Sequence, residues 1–280
     1  MKKLNITVEN VDGGCLLKDY LRACGYTVTF IKKVKLSGIE LCGVPVTVRA
    51  VVKNGDVITL MLPEEKSEGI PPISIPLDVL YEDEYILAVD KPRNMPTHPS
   101  KGNSLPTLAN AVMALYGGDF VFRAVSRLDR DTSGIVVIAK DQITAAALSE
   151  QMKRGEFDKR YTCITEGIPS PAAGTINAPI RREQEDGIRR IVAEGGKSAV
   201  TEYEVIKSDA GRSLCRLRLL TGRTHQIRVH MAYIGCPLHG DFLYGKATDE
   251  GYFLRCDSVS FTHPKSGERI TVKTKETLDL

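Results

Sequence analysis

The sequence predicts an α+β protein in two parts, a small N-terminal domain and a larger C-terminal one. Two observations predict the class: apolar runs of strand length bounded by turn residues recur along the chain, and only a few segments between them carry helical spacing. A third predicts the division. Pro63 to Pro76 gathers four prolines, three glutamates, a lysine, two serines and a glycine, a composition that packs poorly and reads as a linker. The expected boundaries are therefore 1–62 for the small domain, 63–76 for the linker and 77–280 for the large domain. With 280 residues, 42% of them hydrophobic and 26% charged, there is enough apolar surface to bury a core.

In the first part, Leu16, Leu17, Tyr20, Leu21 and Cys24 recur at helical spacing and stop at Gly25, a residue suited to leaving a helix. Beyond that helix, Ile31 to Lys35, the β-branched segment Ile39 to Val52, and Val57 to Leu62 after the Asn54-Gly55-Asp56 turn read as short strands. In the second part, Tyr85 to Val89 reads as a strand and Leu105 to Tyr116 as a helix ending at Gly117-Gly118. Phe120 to Val125 and Ile135 to Ala139 read as strands flanking a charged loop, and Thr144 to Met152 as a helix closed near Gly155. Tyr161 to Thr165 and Thr201 to Val205 follow as strands, separated by a polar stretch from Arg181 to Lys197. Leu217, Leu219 and Leu220 suit a strand, Thr221-Gly222 a turn, and Thr224 a cap for a helix whose Ile227, Met231 and Ile234 form its apolar stripe before Gly235. Arg228 and His225, three apart, share another face of that helix near its start.

Composition excludes several classes. Seven cysteines, an odd number with no Cys-x-x-Cys pair, argue against a disulfide framework and a zinc knuckle. The longest apolar stretches, Ile135 to Ala139 among them, are far shorter than a membrane span, and no apolar core follows the N-terminal lysines; a cytoplasmic protein without a membrane partner is expected. A net charge of +3 permits an anionic partner without requiring one. No long apolar surface pattern asks for a second subunit, so a monomer is expected.

The candidate for chemistry is the loop "SRLDRDTSG", Ser126 to Gly134. In its simplest reading it is a solvated turn in which Asp129 or Asp131 bonds backbone amides. In the other, the apolar Val125 and Leu128 fold part of it inward, adjacent arginines keep Asp129 ionised, and the carboxylate is a nucleophile or base. The residues alone leave both open. They contain no G-x-S-x-G elbow, no Walker-type phosphate loop and no G-x-G-x-x-G turn. His225 and His230, five apart, point in different directions on a helix, so no metal site is expected. Asp129 and Asp131 lie too close in sequence to span a sugar as paired glycosidase carboxylates.

A set of motifs then matches a known family. "LYEDEYILAVDKPRNMPTHPS", "SRLDRDTSGIVVIAK", "KRYTCITEG", "GKSAVTEYEV" and "LLTGRTHQIRVHMAYIGCPLHGDFLYG" occur in this order and resemble the motifs of the RNA pseudouridine synthases, specifically the type acting on large-subunit ribosomal RNA and some transfer RNAs. The resemblance implies a catalytic domain with a mixed, mainly antiparallel central sheet. Its implied activity converts uridine to pseudouridine in structured RNA, ribosomal or transfer, by flipping the base out of its helix and without cofactor or metal. It further implies Asp129 as the catalytic aspartate, Tyr161 as the tyrosine that stacks on uracil and takes the C5 proton, and Arg228 as the arginine paired with Asp129. Arg127 corresponds to the position entering the RNA stack, and Lys91, Arg223 and His225 fall in the motifs expected at the RNA. The first sixty residues are similar to a small RNA-binding domain first seen in a small-subunit ribosomal protein. Lys32, Lys33 and Lys35 there, with Arg181, Arg182, Arg189 and Arg190, are candidate phosphate contacts. Two positions depart from the family pattern: Ser126 stands where histidine is usual, and Arg255-Cys256 where Leu-His-Ala is common. The rivals are an inactive RNA-binding or ribosome-assembly factor and a nucleoside hydrolase releasing free uracil.

Overall fold

A computed structural model describes residues 2–62, 69–100 and 106–280. The N-terminal part holds β1 (Lys2–Thr7), β2 (Cys15–Leu16), α1 (Leu17–Ala23), α2 (Val28–Ser37), β3 (Ile39–Leu41), β4 (Val44–Pro45), β5 (Val51–Val52) and β6 (Val57–Leu62). Its sheet runs β1-β6-β3-β4, while β2 pairs with β5. The expected helix is α1, but Ile31 to Lys35, expected as a strand, belongs to a second helix. Thr27 caps α2 by accepting a hydrogen bond from the Phe30 amide at 3.1 Å, and Phe30, Ile31 and Val34 are buried on one side. That spacing serves a helix, and it leaves Lys32, Lys33 and Lys35 on the open face. Strand β1 was not foreseen: it lies at the sheet edge with Leu4 and Ile6 half-buried and their neighbours exposed, too few apolar residues to stand out.

The larger part contains β7 (Asp78–Glu82), β8 (Ile86–Lys91), α3 (Leu108–Leu115), β9 (Ser133–Ala139), α4 (Gln142–Arg154), β10 (Asp158–Glu166), β11 (Ala173–Asn177), β12 (Ile180–Arg182), β13 (Arg190–Val192), β14 (Val200–Asp209), β15 (Arg212–Leu219), α5 (Gln226–Tyr233), β16 (Leu254–Thr262) and β17 (Arg269–Lys273). Its large sheet runs β11-β14-β15-β10-β16-β9-β8-β7, with β17 on β16, and β12-β13 form a separate hairpin. Among the described strands of this sheet only β16 and β9 run parallel, so the sheet is mixed and mainly antiparallel, as expected. Every residue of β9 is buried, which suits an apolar run covered on both faces.

Two further expectations are corrected. Phe120 to Val125 is not a strand. It lies along β9 beyond the short stretch that pairs with β16, through one bridge, Ala124 to Ile138, with the Val125 amide donating to the Val137 carbonyl at 2.8 Å and the Ala139 amide to the Arg123 carbonyl at 2.9 Å. Part of the expected linker, 63–68, and the expected helix start at Leu105 lie outside the described residues. The described remainder, 69–76, is packed: Ile70 and Ile75 lie against the core, and the Asn110 side-chain amide of α3 donates to the Pro71 carbonyl at 2.8 Å. Its isoleucines override the proline content.

The close approach of β9 to β16 depends on one glycine. Gly134 has φ +107°, and a Cβ there would lie 2.3 Å from the Cys256 carbonyl oxygen and 2.6 Å from its amide nitrogen. No larger residue fits without separating the two strands.

Candidate active site

The loop Ser126 to Thr132 enters β9 from a cleft of about 620 Å³. Leu128 is buried and held twice by Thr97, whose hydroxyl donates to the Leu128 carbonyl at 2.8 Å and accepts from its amide at 3.2 Å. Lys91 fixes the other side. Its ammonium donates to the carbonyls of Pro92 at 2.9 Å, Met95 at 2.7 Å and Arg130 at 3.1 Å, and the residue is fully buried. Burial also pulls the Lys91 amine down to about 7. Lys91 therefore supports the loop from beneath, and its expected contact with RNA is corrected: a fully buried ammonium taken by three carbonyls has no reach into the cleft.

Asp129 projects into the cleft with its side chain 32% exposed. The neighbouring arginines do not hold it. Arg130 forms a two-pronged pair with Asp131 at 2.9 Å for each contact, and Arg127 is exposed, with no ion pair among the described residues. The groups facing Asp129 come instead from α5 and its cap: the Arg228 guanidinium, with Nη1 3.6 Å from Asp129 Oδ2, and the His225 imidazole, with Nε2 3.8 Å from the same oxygen.

Helix α5 is set by its first residues. Gln226 is buried; its side-chain oxygen accepts from the Thr221 hydroxyl at 2.8 Å and the Arg223 amide at 2.9 Å, and its amide group donates to the Val200 carbonyl at 3.0 Å. Thr224 does not cap the helix. His225 holds that position in the left-handed conformation, φ 58°, without a side-chain cap bond, because Gln226 already ties down the turn. The strained backbone leaves the His225 ring between the cleft and Tyr244, whose hydroxyl shares a 2.8 Å hydrogen bond with Nδ1. Burial lowers the His225 pKa, with the Asp129 charge opposing. His230 faces the opposite way, bonded to Thr201 and the Ala178 carbonyl at 2.9 Å each.

Arg228 is not simply paired with Asp129. Its Nε and Nη2 donate to the two oxygens of Asp241 at 2.7 Å each, which leaves Nη1 to face Asp129. Arg228 is 3% and Asp241 0% exposed, and the guanidinium lies 4.3 Å from the Tyr252 ring centre. Burial works against the Arg228 charge, and the Asp241 carboxylate more than offsets it, so the guanidinium stays charged. Asp241 in turn accepts from the Leu243 amide at 3.0 Å.

Tyr161 of β10 lines the same cleft, 4% exposed. Burial first, then the Cys256 thiol beside it, pushes its phenol well above the usual range. Its ring is available as a stacking wall; its oxygen, protonated at neutral pH, is a poor proton acceptor. Arg223 stands exposed at the rim, its Nε donating to the Ser198 carbonyl at 2.8 Å. Lys32, Lys33 and Lys35 are not among the cleft residues. Of the two departures, Ser126 is buried in the cleft wall, whereas Arg255 pairs with Asp90 across β9 and stands outside the cleft.

Sequence reasoning missed Asp241 and Tyr252. Asp241 stands in "LHGDFLYG", quoted above for its match, and a lone aspartate after a glycine reads as a turn residue; Tyr252 has no local signal.

Residues 85–233, which include Asp129, Tyr161 and Arg228, match the family model of the RNA pseudouridylate synthases. The chain belongs to that family. It is 37% identical over 262 residues to the uncharacterized RNA pseudouridine synthase YjbO of Bacillus subtilis (strain 168), a match covering 91% of this chain and 93% of that protein. It is 36% identical over 251 residues to ribosomal large subunit pseudouridine synthase D of Xanthomonas campestris pv. campestris, covering 83% and 76%. Among solved structures, human RNA pseudouridylate synthase domain containing 1 superposes with a TM-score of 0.62 at 25% identity, covering 74% of this chain and 86% of that one. The protein is an isomerase that converts uridine to pseudouridine in RNA. Among the described residues, no helix is long and apolar enough to cross a membrane.

Proposed function

We propose that the cleft isomerises a flipped-out uridine of structured ribosomal or transfer RNA in the cytoplasm, with Asp129 as the catalytic carboxylate and the protein acting as a monomer. The observation that carries this reading is the half-exposed Asp129 carboxylate in the cleft, faced at 3.6 Å by a buried arginine that is itself fixed by a second carboxylate.

Uridine isomerisation breaks the bond from ribose C1′ to uracil N1, turns the base and joins C1′ to C5. The carboxylate either attacks C1′ or removes the proton from C2′ to leave a glycal. Arg228 faces it and aims it. The Tyr161 ring supports the uracil by stacking while it turns. Arg127 and Arg223 at the rim, with His225 beside Asp129, meet the flanking nucleotides, and the lysines of α2 extend phosphate binding onto the N-terminal part, an RNA-binding unit in residues 1–62. Ribosomal RNA is favoured as substrate by the name of the Xanthomonas relative.

The test is incubation of the purified protein with total RNA from a strain lacking it, followed by base-resolution mapping of pseudouridine. New pseudouridines at one or a few defined sites are expected. RNA binding without any new pseudouridine, or release of free uracil, contradicts the reading.

A further inference from the structure

Lys159 is a lysine of the cleft wall. It lies on β10 two residues before Tyr161, so the two side chains share one face of the strand, and both line the cleft. Lys159 is only 8% exposed, and among the described residues its ammonium makes no hydrogen bond and no ion pair. A Cβ added to Gly222 would lie 3.7 Å from its Nζ, which puts the ammonium under the turn between β15 and α5. Cleft residues from that turn and its neighbours include the apolar Met152, Leu219 and Leu254. Its Nζ is not among the described polar atoms that are both shut off from solvent and unpartnered, so it opens to the cleft; an ammonium so deeply placed without a counter-charge is costly unless what binds there supplies one. Burial lowers its pKa, with the Cys256 thiol opposing.

We propose that Lys159 is a catalytic residue that neutralises the uracil after it leaves the ribose. The proposal rests on the assignment of uridine isomerisation to this cleft. When the C1′–N1 bond breaks, its electron pair goes to the base, and the uracil carries one negative charge shared by N1, O2 and O4. C1′ is satisfied by the Asp129 carboxylate, or by a C1′=C2′ double bond once Asp129 holds the C2′ proton. After rotation, C5 bonds to C1′ while the carboxylate departs or returns its proton to C2′, which leaves a neutral ring; the C5 proton then passes to water and N1 takes one up from water. From cleavage until C5 bonds to C1′ the negative charge sits on the base, and Lys159 is the cation on the face where Tyr161 holds that base. The nucleotide's phosphates stay at the rim, beside the exposed Arg127 and Arg223. A cation matched to a charge that exists only after bond cleavage stabilises the transition state more than the bound substrate.

The test compares wild type, Lys159→Met and Lys159→Gln on an RNA oligonucleotide spanning the uridine that wild type modifies. A second oligonucleotide carries 5-fluorouridine at that site, where fluorine itself stabilises the uracil anion. Single-turnover cleavage of the uridine glycosidic bond is expected to fall about 100-fold in Lys159→Met, less in Lys159→Gln, and far less for both on 5-fluorouridine. RNA affinity stays within about twofold, and the melting temperature of Lys159→Met equals or exceeds that of wild type, because an unpaired buried charge has been removed. An active wild type with an equally active Lys159→Met overturns the role of Lys159. Equal losses on both oligonucleotides, or a loss confined to RNA affinity, overturn it as well, the latter marking a phosphate contact. A wild type that forms no pseudouridine overturns the underlying assignment.

Discussion

Replacing Asp241 by alanine removes both acceptors of the Arg228 guanidinium, at 2.7 Å each, and leaves that cation 3% exposed with only the Asp129 carboxylate 3.6 Å away. Breaking a buried pair on one side costs roughly 3–5 kcal/mol, because the surviving charge is uncompensated. The Leu243 amide loses its acceptor too. If the account holds, the cost belongs to the stranded charge, so Asp241→Ala combined with Arg228→Met should be more stable than Asp241→Ala alone, with a coupling of roughly 2 kcal/mol or more. Urea denaturation of wild type, both single variants and the double variant measures this. Activity follows another pattern: a guanidinium free to move by about 1 Å misplaces the charge facing Asp129 and lowers the single-turnover rate about 100-fold. Arg228→Met loses the rate whether or not Asp241 is present. Additive stabilities within about 0.5 kcal/mol, or an Asp241→Ala variant with wild-type rate, would refute the view that Asp241 positions Arg228.

Other expected outcomes concern the scaffold. Gly134→Ala adds a methyl 2.3 Å from the Cys256 carbonyl oxygen at φ +107°, so the β9-β16 pairing must open; a melting temperature within about 3 °C of wild type contradicts a cost of several kcal/mol. Asp257 is pushed up to about 6, mainly by burial, above the unfolded value of 3.8. A carboxyl raised in the folded state binds protons more tightly there, so its effect is to lower stability as pH rises from about 4 to 6. Asp257→Asn should remove that component and be more stable than wild type at pH 7; unfolding free energies measured between pH 4 and 7 decide it, and an Asn variant less stable at pH 7 contradicts the sign.

The sequence made the chemistry more legible than its supports. Asp129, Tyr161 and Arg228 lie far apart along the chain, yet all three line one cleft, because the ordered motifs mark strand ends and a helix start that the sheet brings together. Lys91 was misplaced because a lysine in a motif looks the same whether it faces a ligand or three buried carbonyls. Asp241 and Lys159 escaped because their meaning depends on burial and on distant partners, which spacing does not encode. Helix α2 was misread from a five-residue window; its pattern is visible only with the Thr27 cap and Phe30 included.

Asp129→Asn on the RNA that wild type modifies tests most directly whether the Asp129 carboxylate performs the isomerisation. Binding within about twofold of wild type is expected, since Asp129 supplies no phosphate contact, with no pseudouridine formed and no glycosidic cleavage. Pseudouridine at the wild-type rate from Asp129→Asn would contradict it.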